Sequence, residues 1–183
     1  MKITETKLSG VLIIEPPIFG DGRGIFFESY HHERYSGHGL KVNFVQDNFS
    51  RSSKNVLRGL HYQLEKPQGK LIWVTRGQVF DVVVDVRKGS PTFGQSLTTI
   101  LDAERIRQLY VPPGFAHGFC VLSDEADFSY KCTDYYYPAA EKGILWNDPD
   151  LKIQWPVTNP ILSAKDQKNL CLKNIAAEDL PTS

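Results

Sequence analysis

Short apolar runs with turn residues between them dominate the chain. The runs are rich in β-branched and aromatic residues, so each predicts a strand: residues 11–14, 42–45, 71–74, 79–86, 108–111, 119–122 and 127–132. Within 79–86, a period of two places Phe80 and the valines at 82, 84 and 86 on one face, and Asp81 and Asp85 on the other. Gly77 predicts a tight hairpin between the third and fourth runs.

Helical periodicity is scarce. One candidate helix covers residues 31–36, and a second begins at Ser163, whose hydroxyl precedes the Asp166 carboxylate by three residues, a variant of the capping box. Many strands, few short helices and no strand–helix alternation predict an all-β fold, an antiparallel double-sheet jelly roll. We expect a single domain over residues 1–183, ending in a loosely held tail at 176–183.

Composition narrows the range of partners. The 183 residues carry 21 Lys and Arg against 21 Asp and Glu, so no excess of positive charge indicates nucleic acid or an anionic membrane as a general partner. The N-terminus has no apolar signal region, and no run approaches the roughly 18–20 apolar residues of a spanning helix. We therefore expect a cytoplasmic protein.

The cysteines give the same indication. Cys120, Cys132 and Cys171 are odd in number, far apart and without C-x-x-C pairing, which is typical of reduced, structural thiols rather than of a redox or zinc site.

The segment 56–63, VLRGLHYQ, combines a cation and an imidazole. Arg58 and His61 are three residues apart, so the pleat of a strand sends them to opposite faces unless a bend at Gly59 re-aims one of them. His61 is then either an acid/base group in the mouth of a barrel or a core histidine with a satisfied hydrogen bond.

The segment 112–119, PPGFAHGF, carries the P-x-G-x-x-H spacing of cupins. Metal-binding cupins pair it with an H-x-H and a glutamate on the preceding hairpin. Here that position has His61 but Gln63 in place of the second histidine, and Pro67 where a carboxylate would be needed. Because a catalytic metal generally needs three protein ligands, we predict a cupin-like barrel with no metal site.

The segment 128–137 is rich in aromatic residues. Alternation puts Phe128, Tyr130 and Cys132 on one face, where the Tyr130 phenol could donate a proton into a cavity or pack its ring in the core. The tyrosines at 135–137 are compatible with core, with a dimer contact or with a platform on which a base stacks.

These motifs resemble those of the dTDP-4-dehydrorhamnose 3,5-epimerases, nearly from end to end. The matching segments are residues 19–24, 44–48, 56–61, 68–71, 114–119, 130–131, 145–148 and 162–166. The resemblance implies a cofactor-free jelly-roll homodimer whose N-terminal strand crosses to the partner. It also implies epimerisation at C3 and C5 of a dTDP-linked 4-keto-6-deoxyglucose, in dTDP-L-rhamnose biosynthesis. Phe49 departs from the family pattern, which often has a histidine there.

The resemblance assigns roles to individual residues. His61 matches the base, Asp166 the carboxylate that orients it, Tyr130 the acid, and Lys70 the group facing the C4 keto oxygen. Arg58 matches a diphosphate ligand and Tyr136 the aromatic that stacks on thymine. The resemblance places His117 near Lys70. The further substrate-contacting positions are matched by Arg23, Phe26, Glu28, Gln46, Asp47, Asn48, His117, Glu141 and Lys165.

Physical chemistry agrees with this assignment. Removing a proton α to a ketone needs a positioned base and a charge that stabilises the enolate, and inversion needs a second group on the facing wall. Three alternatives remain: a mono-epimerase acting at C3 or C5 only, a non-catalytic sugar-binding cupin, and a metal-dependent cupin oxygenase. The combination of His61, Asp166, Tyr130 and Lys70 disfavours a pure binder, and the absent second histidine disfavours the oxygenase.

Overall fold

A computed structural model describes residues 1–182, which form two antiparallel sheets. Strands are numbered in chain order. The six-stranded sheet has the order β1 (Lys2–Glu5), β2 (Leu12–Glu15), β10 (Gln108–Val111), β7 (Lys70–Arg76), β12 (Glu125–Cys132), β5 (Gln46–Ser53). The five-stranded sheet has the order β13 (Glu141–Gly143), β6 (Leu57–Gln63), β11 (Phe115–Val121), β8 (Gln78–Asp85), β9 (Ser96–Asp102). The predicted all-β, cupin-like jelly roll is confirmed.

The main core fills the space between the two sheets. Ile72 and Phe128 of the six-stranded sheet pack with Val79, Val83 and Phe119 of the five-stranded sheet, all at most 5% exposed. Burying several large side chains of this kind supplies the main driving force for folding, roughly 1.5–3 kcal/mol for each.

The predicted alternation in β8 is confirmed, but both of its faces are buried. Val82 and Val84 lie on the outer face, where the C-terminal part of the chain covers them with Leu172 and Leu180. The other face, with Asp81, points into the interior of the barrel. The outer cover explains why four apolar residues in alternation do not face solvent.

The turn at Gly77 differs from the predicted hairpin. β7 and β8 belong to different sheets, so Gly77 carries the chain from one sheet to the other. Its φ is +75°, and a Cβ there would lie 2.1 Å from the carbonyl oxygen of Glu125, so glycine is needed for close approach as well as for conformation.

The predicted strand at 42–45 is wrong. The strand begins at Gln46, and Val42 and Phe44 instead pack with Tyr35 over the outer face of the six-stranded sheet. The apolar run therefore reflects a covering segment and not a strand.

The two helix predictions have different outcomes. Helix α1 (His32–Gly37) lies where the 31–36 pattern predicts it and buries Tyr35. The segment after Ser163 forms only a 3₁₀ turn, Asp166–Lys168, although the Ser163 hydroxyl does accept the predicted capping bond from the Asp166 amide at 3.1 Å. In residues 1–182 no helix is long and apolar enough to cross a membrane.

The C-terminal tail differs from the loosely held end predicted for 176–183. Residues 177–179 form a 3₁₀ turn, Leu180 packs on the outer core, and the Lys88 amide donates to the Pro181 carbonyl at 2.7 Å. Residue 183 lies outside the described residues. The polar composition of the tail hides this anchoring, because its bonds are made mostly by backbone groups.

A separate hairpin, β3 (Ile18–Asp21) with β4 (Gly24–Phe27), forms a two-stranded sheet of its own. Its large apolar side chains are strongly exposed, Phe19 at 61%, Ile25 at 63% and Phe26 at 65%.

Candidate active site

A cavity of about 460 Å³ opens between the two sheets. The four predicted catalytic residues, His61, Lys70, Tyr130 and Asp166, all line it. Three predicted substrate-binding residues line it as well: Arg58, His117 and Lys165. Because His61 comes from β6 and Tyr130 from β12, acid/base groups stand on opposite sheets around one space.

His61 is held by a carboxylate on the 3₁₀ turn Asp166–Lys168, far along the chain. Its Nε2 lies 2.5 Å from Oδ1 of Asp166, whose residue is only 2% exposed. Burial would raise the pKa of Asp166, but hydrogen bonds from His61, Ser163 and the Gly59 backbone lower it below its usual value. Asp166 is therefore an anion that fixes Nε2 as the protonated nitrogen, which leaves the Nδ1 lone pair free to accept a proton.

A bend in β6 brings Arg58 and His61 to the same cavity. Gly59 has a φ of +118°, and the β6–β11 pairing shifts register opposite it. A Cβ on Gly59 would lie 2.6 Å from the Cα of Gly118, so the two strands cross too closely for any side chain. The bend at Gly59 that the sequence makes plausible is therefore present, and it brings the Arg58 and His61 side chains to one cavity.

Glu141 faces the second nitrogen of the base. Its Oε1 lies 3.6 Å from His61 Nδ1, and its Oε2 accepts hydrogen bonds from Tyr136 at 2.7 Å and Lys165 at 2.5 Å. Burial would raise the pKa of Glu141, and the bonds from Lys165 and Tyr136 lower it. The base is thus flanked by two carboxylates, of which Glu141 also contacts two groups expected to bind substrate.

Lys70 and Tyr130 have pKa values shifted in opposite directions. Burial lowers the pKa of Lys70, opposed by nearby Cys132, Glu141 and Asp81. Burial raises the pKa of Tyr130 above that of a free phenol. Tyr130 is accordingly a protonated donor at neutral pH.

Asp81 is a site residue that sequence reasoning missed. It is fully buried, and its carboxylate lies 2.9 Å from Nε2 of His117, which fixes that imidazole in the cavity wall. The signal was present in the sequence, since Asp81 alternates with Val79 and Val83 on one face of a strand that is otherwise apolar.

Gln46 and Asn48 lie on the inward face of β5, opposite Cys132 and Tyr130 of β12. The Gln46 side chain accepts from the Tyr136 amide at 2.8 Å and donates to Asn48 at 3.0 Å.

Asp47 does not join this group. It lies on the outer face of β5 beside Phe49 and pairs with Lys131 at 2.7 Å, because neighbouring residues of a strand point to opposite faces. Its expected contact with substrate has no support within one chain.

The remaining predicted substrate residues lie away from the cavity of their own chain. Arg23 is on the exposed hairpin, where its side chain is 91% exposed and paired with Asp21. Phe26 is on the same hairpin, and Glu28 follows it and pairs with Arg34.

Gln63, which stands where metal-binding cupins have a second histidine, has a structural role. Gln63 donates to the carbonyls of Lys66 at 2.6 Å and Tyr135 at 3.0 Å, and accepts from the Tyr137 amide at 2.9 Å. Within residues 1–182, His, Cys, Asp and Glu side chains form no group of three that could hold a metal ion.

The barrel and its cavity, with an imidazole and a phenol on facing sheets, fit a cupin-like isomerase. The chain belongs to the dTDP-4-dehydrorhamnose 3,5-epimerase family, whose model matches residues 5–174. It is 56% identical to the dTDP-4-dehydrorhamnose 3,5-epimerase of Shigella flexneri over 91% of this chain and 93% of that protein. It is 42% identical to a dTDP-4-dehydrorhamnose 3-epimerase of Streptomyces niveus, over 94% of this chain and 84% of that protein.

A solved structure agrees closely. The dTDP-6-deoxy-D-glucose-3,5-epimerase of Legionella pneumophila, in complex with dTDP-4-keto-L-rhamnose, has a TM-score of 0.96 and 54% identity, covering 100% of this chain and 98% of that one.

Proposed function

We propose that this enzyme converts dTDP-4-keto-6-deoxy-D-glucose into dTDP-4-keto-L-rhamnose by epimerising C3 and C5, a step in dTDP-L-rhamnose synthesis. The observation that carries this proposal is one cavity lined by the His61–Asp166 pair from one side and by Tyr130 from the other. Inversion at carbon requires this arrangement, because one base cannot serve both faces of a planar intermediate.

His61 performs the first half of the reaction. Its Nδ1 takes the proton from the carbon next to the C4 ketone, and the C–H electron pair moves to form the enolate. Asp166 stabilises the imidazolium that results. Lys70 stabilises the negative charge that develops on the C4 oxygen, and His117, held by Asp81, lies in the same wall.

Tyr130 completes each inversion. Its hydroxyl delivers a proton to the opposite face of the carbon, and the enolate electron pair forms the new C–H bond. The raised pKa of Tyr130 suits this role, since the phenol stays protonated at neutral pH.

Groups around the cavity bind the nucleotide. Arg58 suits the diphosphate because a guanidinium meets phosphate oxygens in a bidentate fork. Lys165 and Glu141 pair at 2.5 Å beside His61, where both can bind the sugar. Tyr136 is 49% exposed, which leaves a ring face open for stacking by thymine.

We further propose a homodimer. The N-terminal strand that the resemblance implies as the crossing element, β2, pairs with β10 of its own chain, so we assign the crossing to the exposed β3–β4 hairpin. The exposed ring of Phe26 and the exposed Arg23 support this, because a contiguous apolar patch with a charged neighbour is typical of an interface. Each hairpin then supplies Arg23, Phe26 and Glu28 to the cavity of the other subunit.

The proposed reaction uses no cofactor and no metal, since every proton and charge is supplied by a side chain named above. We place the enzyme in the cytoplasm, because the three free cysteines of the chain fit a reducing compartment.

Incubation with dTDP-4-keto-6-deoxyglucose in deuterated water tests the proposal. Deuterium at both C3 and C5 is the expected result. Label at one carbon would identify a mono-epimerase, and no label would refute the proposed activity. The matched variant His61→Ala should lose turnover by roughly 10²–10⁴-fold, the usual scale for a general base, while the protein remains folded.

A further inference from the structure

The C-terminal residues 176–182, which we call the C-terminal clasp, lie against the outer face of the catalytic strands. Asp179 makes two contacts there: its carbonyl oxygen accepts from the Tyr62 hydroxyl at 2.7 Å, and its Oδ1 pairs with Lys142 Nζ at 2.7 Å. One residue of the clasp thus touches both β6 and β13. The clasp begins beyond residue 174, where the match to the family model ends.

The clasp contacts lie directly behind the base. Tyr62 and Lys142 are cross-strand partners on the outer face. Their chain neighbours, His61 and Glu141, point the other way, because successive residues of a strand alternate. His61 lines the cavity, and Oε1 of Glu141 lies 3.6 Å from its Nδ1.

The chain just beyond β13 is fixed by the buried Ile144, whose amide donates to the Leu60 carbonyl at 2.9 Å. β13 itself has few bonds. It is a three-residue strand at the edge of its sheet, paired only with β6 among the described strands. Short edge strands open readily, because few ladder bonds hold them. The far end of the clasp is itself anchored, by Leu180 in the outer core and by Pro181 on the Lys88 amide.

We propose that the C-terminal clasp holds β13 in register against β6 and thereby sets the position of Glu141 relative to His61. Tyr62 and Lys142 are positioning residues in this arrangement, acting through the two strands and not on substrate. The kinetic part of the proposal rests on the proposed function, whereas the structural part does not.

Amide hydrogen exchange tests the structural part in the full-length protein. The double variant Tyr62→Phe/Lys142→Ala removes both clasp contacts and keeps the aromatic ring. Loss of one hydrogen bond and one ion pair should speed exchange at residues 141–143 on the order of tenfold, with residues 79–86 unchanged. The matched control Tyr35→Phe/Lys173→Ala removes a hydroxyl bond to Gln108 and a pair with Asp150 instead. Unchanged exchange at 141–143, or equal acceleration in the control, would overturn the proposal.

Turnover tests the positioning role. The Tyr62→Phe/Lys142→Ala variant should lose about tenfold in kcat, with the Kd for dTDP unchanged, whereas the control keeps its kcat. Faster exchange with full kcat would make the clasp a structural anchor only and overturn the positioning role. If the wild-type protein incorporates no label, the proposed function fails, and amide exchange alone then decides whether the clasp holds β13.

Discussion

At the scale of the residue, the roles of the two carboxylates around His61 can be separated. Oδ1 of the buried Asp166 lies 2.5 Å from Nε2 of the ring, whereas Oε1 of Glu141 lies 3.6 Å from Nδ1, and Glu141 also contacts Lys165. Under the proposed function, Asp166 therefore fixes the tautomer of His61, and Glu141 connects His61 to Lys165, a proposed substrate ligand. This separation predicts that substitutions of Asp166 and of Glu141 affect activity in different ways.

Asp166→Asn should lower kcat by roughly 10²–10⁴-fold, because a neutral amide neither fixes the tautomer nor stabilises the imidazolium. The Kd for dTDP should stay unchanged, since the Asp166 carboxylate bonds to His61 and not to a group proposed to bind the nucleotide. Calorimetric titration and label incorporation measure the two quantities. Asp150→Asn, an exposed aspartate paired with Lys173, is the control. An unaltered kcat in Asp166→Asn would contradict the His–Asp assignment.

The opposite pKa shifts of Lys70 and Tyr130 predict which group limits activity at high pH. Burial lowers the pKa of Lys70, so its ammonium loses its proton below the usual value of about 10.4, while Tyr130 keeps its proton above about 10. The two shifts therefore favour loss of the Lys70 charge at lower pH and loss of the Tyr130 proton at higher pH. Lys70→Arg keeps the charge beyond about pH 12 and should move the alkaline limb of the kcat profile upward, with the acid limb fixed. An alkaline limb at the same pH would assign it to another group.

At the scale of the element, sequence pattern succeeded for strands rich in apolar residues and failed for β5, whose inward face is polar. The strands over 71–74, 79–86 and 127–132 are confirmed. β5 was missed, because its inward residues are Gln46, Asn48 and Ser50. A binding cavity needs polar groups where a core would need apolar ones, so the alternation that predicts a strand is lost at the site.

The loop between β8 and β9 is held by a single carboxylate, and this predicts a pH-dependent contribution to stability. Burial would raise the pKa of Asp85, but bonds from Arg87, Ser90 and Thr92 hold it at about 2. A shift of this size contributes about 2 kcal/mol to the free energy of unfolding. Because the folded-state pKa is lowered, this stability is complete above the unfolded value of about 3.9 and is lost as pH falls through about 2.

Asp85→Asn should therefore lower the free energy of unfolding by about 2 kcal/mol at neutral pH, and the deficit should shrink between about pH 4 and pH 2. Urea unfolding at several pH values measures it. Asp150→Asn serves again as the exposed control. A deficit that stays constant with pH would mean that lost packing, and not charge, causes the effect.

At the scale of the whole molecule, the chain covers most of its own outer surfaces. The segment around α1 covers the six-stranded sheet, and residues 151–180 cover the five-stranded sheet. The β3–β4 hairpin is not covered in this way, and its side chains Phe19, Ile25 and Phe26 are 61–65% exposed. The sequence resemblance supplied the expectation of a crossing segment, because no pattern within one chain indicates which surface a second copy will cover.

Mixing two inactive variants tests the crossing. If each hairpin serves the partner's cavity, Arg23→Ala impairs the partner's site and His61→Ala impairs its own. A mixed dimer then contains one site with both residues intact, so random subunit exchange should restore about a quarter of wild-type activity. Each variant alone is the control. If each hairpin instead folds back on its own chain, every site in the mixture lacks one residue and no activity returns.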